Sequence, residues 1–303
     1  MLLVSILDYD EWFNSKYEDI YSDKDIDLIK SGPLFQRYSN LFIDQYHVND
    51  LRNSEINKLK DSVNKLRPLN DTLVQHIEDK LGVILNHSSN VIEGMNITLN
   101  QTEKILANKT LSGIKTQDVL DVIGHQRAFN EIINIYRKVN DVITIEQICL
   151  INKYVMLNED RNTGRLRNET NSIVKIGGRK ILLPHPQEVP ELMKNLIDWL
   201  NNININEYNI CDLIVNFHIR FITIHPFSDG NGRTARLLCS LISMRHGYGI
   251  LIISDTKREQ YFESIAKWED DKNFNVFGNL IVDELITCLK IYSKCLRSKC
   301  VLI

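Results

Sequence analysis

Residues 225–236 read His-Pro-Phe-Ser-Asp-Gly-Asn-Gly-Arg-Thr-Ala-Arg, and these types in this order could grip an anionic ligand and move a group from it. Neutral His225 could accept a proton from an attacking hydroxyl. Asp229 alone would repel phosphate, and a divalent cation removes that conflict. Mg2+ is commonly held by one or two carboxylates together with phosphate oxygens, and Mn2+ takes similar ligands. Gly230, Asn231 and Gly232 can turn sharply and present bare backbone N–H groups. Arg233 and Arg236, with Thr234 and Ala235 between them, share one face of a helical turn, and two guanidinium groups there suit more than one phosphate. The bland alternative is a loop with a core histidine, a helix cap and surface arginines. Any one of these residues fits that alternative, but the seven together fit it poorly.

The elements that must position this loop are legible on both sides. Ile210, Leu213, Ile214, Phe217 and Phe221 recur at helical spacing and predict a buried helix. Pro226 biases His225 away from the α region, so the helix should end at or just before His225. A second helix starts within the loop, with Ala235, Leu238, Cys239 and Ile242 as its apolar stripe. Its N-terminus combines unpaired N–H groups with the positive end of the helix dipole, a ready anion site.

Two further features lie upstream. Ser89 and Glu93 are four residues apart on one helical face, and Gly94 follows as a natural helix stop. Ile173-Val174-Lys175-Ile176 and Arg179-Lys180-Ile181-Leu182 alternate around Gly177-Gly178, which signals a β-hairpin. An ordinary surface hairpin would read the same way.

The motif from His225 to Arg236 resembles the signature of the Fic (Fido) family in its HPFxDGNGRxxR form, and Leu237 to Tyr248 resembles its continuation. The resemblance implies a Fic-type helical bundle with a small β-hairpin flap, and a protein adenylyltransferase. Such an enzyme moves AMP from ATP to a Ser, Thr or Tyr hydroxyl of a target protein and releases pyrophosphate. Carried over by position, His225 would be the general base and Asp229 the metal ligand. Gly230, Asn231 and Gly232 would form the anion hole, with Thr234 and Ala235 beside it, and Arg233 and Arg236 would hold the outer phosphates. Val174, Lys175, Ile176 and Gly177 would line the nucleotide. The hairpin edge would pair with the target's extended segment.

Ser89-x-x-x-Glu93-Gly94 is similar to the family's inhibitory motif, placing the chain with members whose inhibitory helix is N-terminal, like the animal Fic-domain AMPylators. There Glu93 would pair with Arg236 and compete with the γ-phosphate for one guanidinium fork. Tyr261 sits where relatives offer a ring to the base, and it could equally be a core aromatic. Target proteins are implied as partners, with heat-shock-70-type (Hsp70-type) chaperones by analogy only and a homodimer compatible. Alternatives are a de-AMPylase, a Fic enzyme using another nucleotide donor, and a nucleotide-binding scaffold without catalysis.

Composition bounds the remainder. With 303 residues, 43% of them hydrophobic, the chain can bury a full core. A net charge of −3 implies no nucleic-acid partner. Six prolines and thirteen glycines are few for an all-β chain, and long helical patterns over 54–85 and 117–138 predict a mainly α fold. The expected organisation is an N-terminal helical extension over 1–78, the inhibitory helix with the first Fic helices over 79–143, the catalytic domain over 144–284, and a basic tail over 285–303. The six cysteines have no metal-ligand spacing, and Cys149, Cys211, Cys239 and Cys288 fall on apolar faces. Residues 1–7 are apolar but too few for a signal peptide or a span, so a cytoplasmic protein is expected. Cys300-Val301-Leu302-Ile303 fits C-a-a-X behind Lys290, Lys294, Arg297 and Lys299, with Cys295 as a second acceptor. A lipidated Cys300 with that basic patch would anchor the chain to a membrane, and an apolar frayed tail is the alternative.

Overall fold

A computed structural model describes residues 46–66, 70–138, 142–157, 163–169, 172–174, 180–203, 208–271 and 273–298. Among them are ten α-helices: α1 (Asp50–Asn64), α2 (Asp71–Ile92), α3 (Leu99–Leu106), α4 (Thr116–Arg137), α5 (Ile145–Val155), α6 (Val189–Asn202), α7 (Ile210–Ile224), α8 (Asn231–Arg245), α9 (Arg258–Asp271) and α10 (Phe274–Ser298). Strands β1 (Ser172–Val174) and β2 (Lys180–Leu182) pair antiparallel, with Ile173 opposite Ile181. The expected mainly α architecture is what forms.

Side-chain caps set half of the ten helix starts. Asn49, Asn70 and Asn209 cap α1, α2 and α7 by accepting a first-turn amide. Thr98 with Gln101, and Thr144 with Gln147, make capping boxes at α3 and α5. The continuous pattern expected over 54–85 is divided between α1 and α2. Asn70 restarts the chain by accepting from the Leu73 amide, and Pro68 lacks the N–H an unbroken helix would need.

The core is centred on α7 and α8. Every residue of α7 except Ile222 is buried, as is every residue of α8 except Gly232 and Arg245. A helix buried on all sides must satisfy its polar groups internally. Asn216 bonds the backbone of Tyr46 in both directions, and Asp212 accepts from the Val48 amide at 2.7 Å. One continuous apolar cluster runs from Tyr46 to Leu296. The expected boundaries at 78/79 and 284/285 fall inside α2 and α10, whose inner faces contribute to that cluster. A smaller cluster of Ile97, Ile105 and Val122 holds α3 against α4.

Cys211, Cys239 and Cys288 are buried, as expected for core residues. Cys295 is also buried, at 2% exposure on the inner face of α10, so it is not an accessible lipid acceptor; the apolar packing that its helix requires decides this. Cys300 lies outside the described residues. No helix among those described is long and apolar enough to cross a membrane.

Candidate active site

The loop between α7 and α8 is built around His225. It caps α7 in the left-handed conformation, at φ 50° and ψ 61°, with its amide donating to Phe221 O at 2.9 Å. The helix ends just before His225, as expected from Pro226. That proline disfavours only the right-handed region, and the chain must reverse direction here to enter α8.

The imidazole Nδ1 lies 3.3 Å from Ile222 O. A carbonyl can only accept, so Nδ1 carries the hydrogen and Nε2 keeps the lone pair. Burial pushes the His225 pKa down to about 4; the Ile222 bond opposes, Arg167 assists, and Asp229 and Glu93 oppose. At neutral pH the group is therefore an unprotonated acceptor.

Beyond His225 the loop is braced from inside. Asn231 accepts from the Phe227 amide at 2.9 Å and donates to Phe227 O at 2.8 Å, closing the turn on itself. Asn152, on α5, donates to Asp229 O at 3.0 Å and to Thr234 Oγ1 at 3.3 Å, and accepts from the Gly164 amide at 3.1 Å. Gly230 has φ 75°, and a Cβ there would press on Met156 Sδ and Asn152. Only glycine suits that position. The exposed Asp229 carboxylate accepts from the Gly230 amide at 2.5 Å. Ala235 is buried under the first turn of α8.

Both arginines of that turn are engaged by carboxylates from other helices. Arg233 lies 3.6 Å from Asp121 of α4, and its Nη2 is 3.1 Å from Met156 Sδ. Arg236, 2% exposed, donates through Nε to Ser89 Oγ at 3.0 Å and through Nη2 to Ser89 O at 2.8 Å. The same Nη2 meets Glu93 Oε1 at 2.6 Å. Burial is the largest single influence and lowers the Arg236 pKa, yet the charges and hydrogen bonds of Glu93 and Tyr261 together outweigh it and the net direction is upward. A Cβ on Gly232 would overlap the Glu93 carboxylate, so that carboxylate stands directly over the glycine backbone.

Tyr261 lies behind the arginine and is 1% exposed. Its hydroxyl accepts from Arg236 Nη1 at 3.2 Å and lies 3.0 Å from Nε2 of buried His218. Of its two readings, ring against a base or core aromatic, the structure has the second: the ring packs among Phe262, Phe277 and His218. Val174 lies on β1, whereas Lys175, Ile176 and Gly177 fall outside the described residues. His225, Asp229, Gly230, Asn231, Gly232, Arg233, Thr234 and Arg236 come together with Ser89 and Glu93 at one place.

Sequence reasoning missed Asn152, Met156 and Arg167. Asn152 carried a signal, being an amide flanked by Ile148, Ile151 and Val155 on an otherwise apolar helix face. Met156 carried none beyond its residue type, and Arg167 stood out only as the end of Gly164-Arg165-Leu166-Arg167, the stretch ahead of the hairpin, with no role attached.

No group of three or more metal-ligating side chains occurs among the described residues. A single exposed carboxylate, Asp229, beside a glycine-lined turn suits Mg2+ that completes its shell with phosphate and water oxygens rather than in an all-protein cage.

Comparison with known proteins agrees with this geometry. Residues 142–243 match the Fic/DOC family. The chain carries a Fic/DOC domain. The match covers His225 through Arg236, while Ser89, Glu93 and Tyr261 lie outside it. Protein adenylyltransferase fic-1 of Caenorhabditis elegans is 30% identical over 221 residues, which is 72% of this chain and 41% of that protein. The chain thus spans about two-fifths of the length of that relative. A Fic-domain-containing signalling protein from Bacteroides thetaiotaomicron superposes with a TM-score of 0.75 at 24% identity, over 82% of this chain and 99% of that one. A Fic-1 fragment from C. elegans superposes with a TM-score of 0.72 at 24% identity, over 82% and 74%. At that identity the two structures establish the fold of the Fic/DOC domain and its neighbouring helices.

Proposed function

We propose that this protein is a protein adenylyltransferase that moves AMP from ATP to a Ser, Thr or Tyr hydroxyl of a target protein. The observation that carries this reading is the neutral His225 imidazole, with Nε2 as acceptor, on the loop that opens into the start of α8 and its two arginines.

The triphosphate lies along Gly230, Asn231 and Gly232, where the first-turn amides of α8 have no intrahelical acceptor. Its outer phosphates face Arg233 and Arg236. The target hydroxyl oxygen bonds to the α-phosphorus as the bond from that phosphorus to the bridging oxygen breaks. Pyrophosphate leaves, and the hydroxyl proton passes to His225 Nε2. Mg2+, or Mn2+, held by Asp229, would neutralise phosphate charge. The paired strands β1 and β2 offer an edge on which an extended target segment adds.

Glu93 keeps the enzyme off. Its carboxylate occupies the Arg236 guanidinium and the space over Gly232, both of which a γ-phosphate needs. The test is intact-mass analysis of wild-type and Glu93→Gly protein with ATP, Mg2+ and cell extract. An AMP-sized adduct, stronger for Glu93→Gly, supports the reading. Bound ATP without adduct selects a non-catalytic scaffold instead.

A second reading has its own observation. The Glu93 side chain is 35% exposed and faces the anion-binding turn, so it could orient a water molecule to remove AMP from a modified target. Under that reading the wild type strips a pre-modified target and Glu93→Gly does not.

A further inference from the structure

Arg167 belongs to none of the groups discussed so far as chemical participants, yet it is 3% exposed and touches the backbone of the base itself. Its Nε donates to His225 O at 2.8 Å, and its Nη2 donates to Ile224 O at 3.4 Å and to Pro184 O at 2.6 Å. Nη1 donates to Glu169 O at 3.2 Å, and its own amide donates to Pro226 O at 2.8 Å. One planar guanidinium thus ties together three places: the end of α7 that carries His225, the chain leading into β1, and the chain leaving β2.

Two physical consequences follow. The Ile224 and His225 carbonyls form the negative end of α7, where a fixed cation is favourable. A residue with a Cβ at φ 50° persists only where its surroundings over-determine it, and the bonds to the His225 and Pro226 carbonyls do so on both sides of the Pro226 peptide. Lysine could supply the charge but not the planar fork that reaches three segments at once.

We infer that Arg167 is a positioning residue that holds the His225 backbone in its left-handed turn and ties the position of the base to that of the β1–β2 pair. The inference rests on the adenylyl-transfer reading for its kinetic consequence and on geometry alone for its effect on the imidazole. Arg167 acts through His225 and the strands without touching the reacting atoms.

The test uses Arg167→Gln and Arg167→Lys, each made in the Glu93→Gly background. A misplacement of about 1 Å at a reacting group costs on the order of 100-fold, so kcat for target labelling should fall about that far in Arg167→Gln with KM for ATP unchanged. Arg167→Lys should recover part of the loss. Nitrogen NMR of the imidazole supplies a readout independent of activity. Of the charged groups facing His225, Asp229 and Glu93 raise its pKa and Arg167 lowers it, so the His225 titration should move upward in Arg167→Gln. A folded Arg167→Gln with parental kcat and an unmoved His225 titration overturns the inference. If that variant does not fold, Arg167→Lys decides, and parental kcat there overturns it. If the Glu93→Gly parent forms no AMP adduct, the proposed reaction fails, while the shift of the His225 titration still tests the hold of Arg167.

Discussion

Glu93 Oε1 lies 2.6 Å from Arg236 Nη2, and the same carboxylate covers the backbone of Gly232. One acidic side chain thus occupies both halves of the proposed phosphate site, the guanidinium and the turn beside it. Such an ion pair has to be broken before a triphosphate can seat fully. A charge-assisted hydrogen bond contributes about 1.5–3 kcal/mol, so its removal should raise adenylate labelling by about tenfold or more. Labelled ATP with Glu93→Gly and wild type checks this, and equal rates would contradict it.

The end of α2, proposed above to inhibit, is held by two further contacts. Arg258 Nε donates to Ile92 O at 2.8 Å, and Ser88 Oγ donates to Asp255 Oδ1 at 3.1 Å. Removing the first with Arg258→Ala should loosen the turn that carries Glu93 and give partial activation, less than that of Glu93→Gly. Hydrogen exchange over 89–95 should rise in parallel. Wild-type exchange and wild-type activity in the variant would show that the contact has no such role.

His225→Ala should abolish labelling while ATP still binds, because general-base catalysis contributes about 10²–10⁴ in rate. The depressed pKa means the neutral, competent form persists as pH falls and is lost only through about 4. The acid limb of kcat in Glu93→Gly protein should therefore lie well below that of an ordinary histidine. An acid limb near pH 6.5 would place the imidazole in a different environment.

Folding stability should also fall in acid. His125 and His218 are fully buried, and burial pushes each down to about 3, with Arg236 adding to both. As pH falls below 6.5 the unfolded chain takes up protons that the folded chain refuses, so stability drops progressively until the folded pKa values are reached. Glu78 and Asp212, raised by burial, oppose the trend over part of this range. Urea midpoints between pH 7 and 4 should decline, and less steeply in His125→Gln. Equal slopes for the two proteins would mean that His125 does not stay neutral in the fold.

Asn152→Ala should weaken the loop between α7 and α8. It removes the donor to Asp229 O and Thr234 Oγ1 and leaves the Gly164 amide without its acceptor. Such a buried loss costs about 1–3 kcal/mol. Chemical denaturation measures the cost, and a variant as stable as wild type would show that the brace is dispensable.

Much of the stretch from His225 to Arg236 was legible in sequence because its turn and its helical spacing are set within a few positions. A glycine that must take positive φ, an asparagine that closes its own turn and two arginines on one helical turn are local properties. The mainly α fold was legible for the same reason, since helical periodicity and caps are read within a few residues.

The rest was decided by contacts between distant segments. That Tyr261 stands behind Arg236 and not in front of it, that Asn152 braces the loop, and that Arg167 reaches His225 depend on how α5, α9 and the segment before β1 pack on α7 and α8. The left-handed turn at His225 belongs with these, because Pro226 disfavours only one of the available conformations. Sequence therefore determined the chemistry available at the anion-binding turn. The resemblance already implied that Glu93 meets Arg236; tertiary structure alone decided that Asp121 lies against Arg233 and that Asn152 and Arg167 brace the turn, since such distant partners are selected by the packing of the segments that carry them.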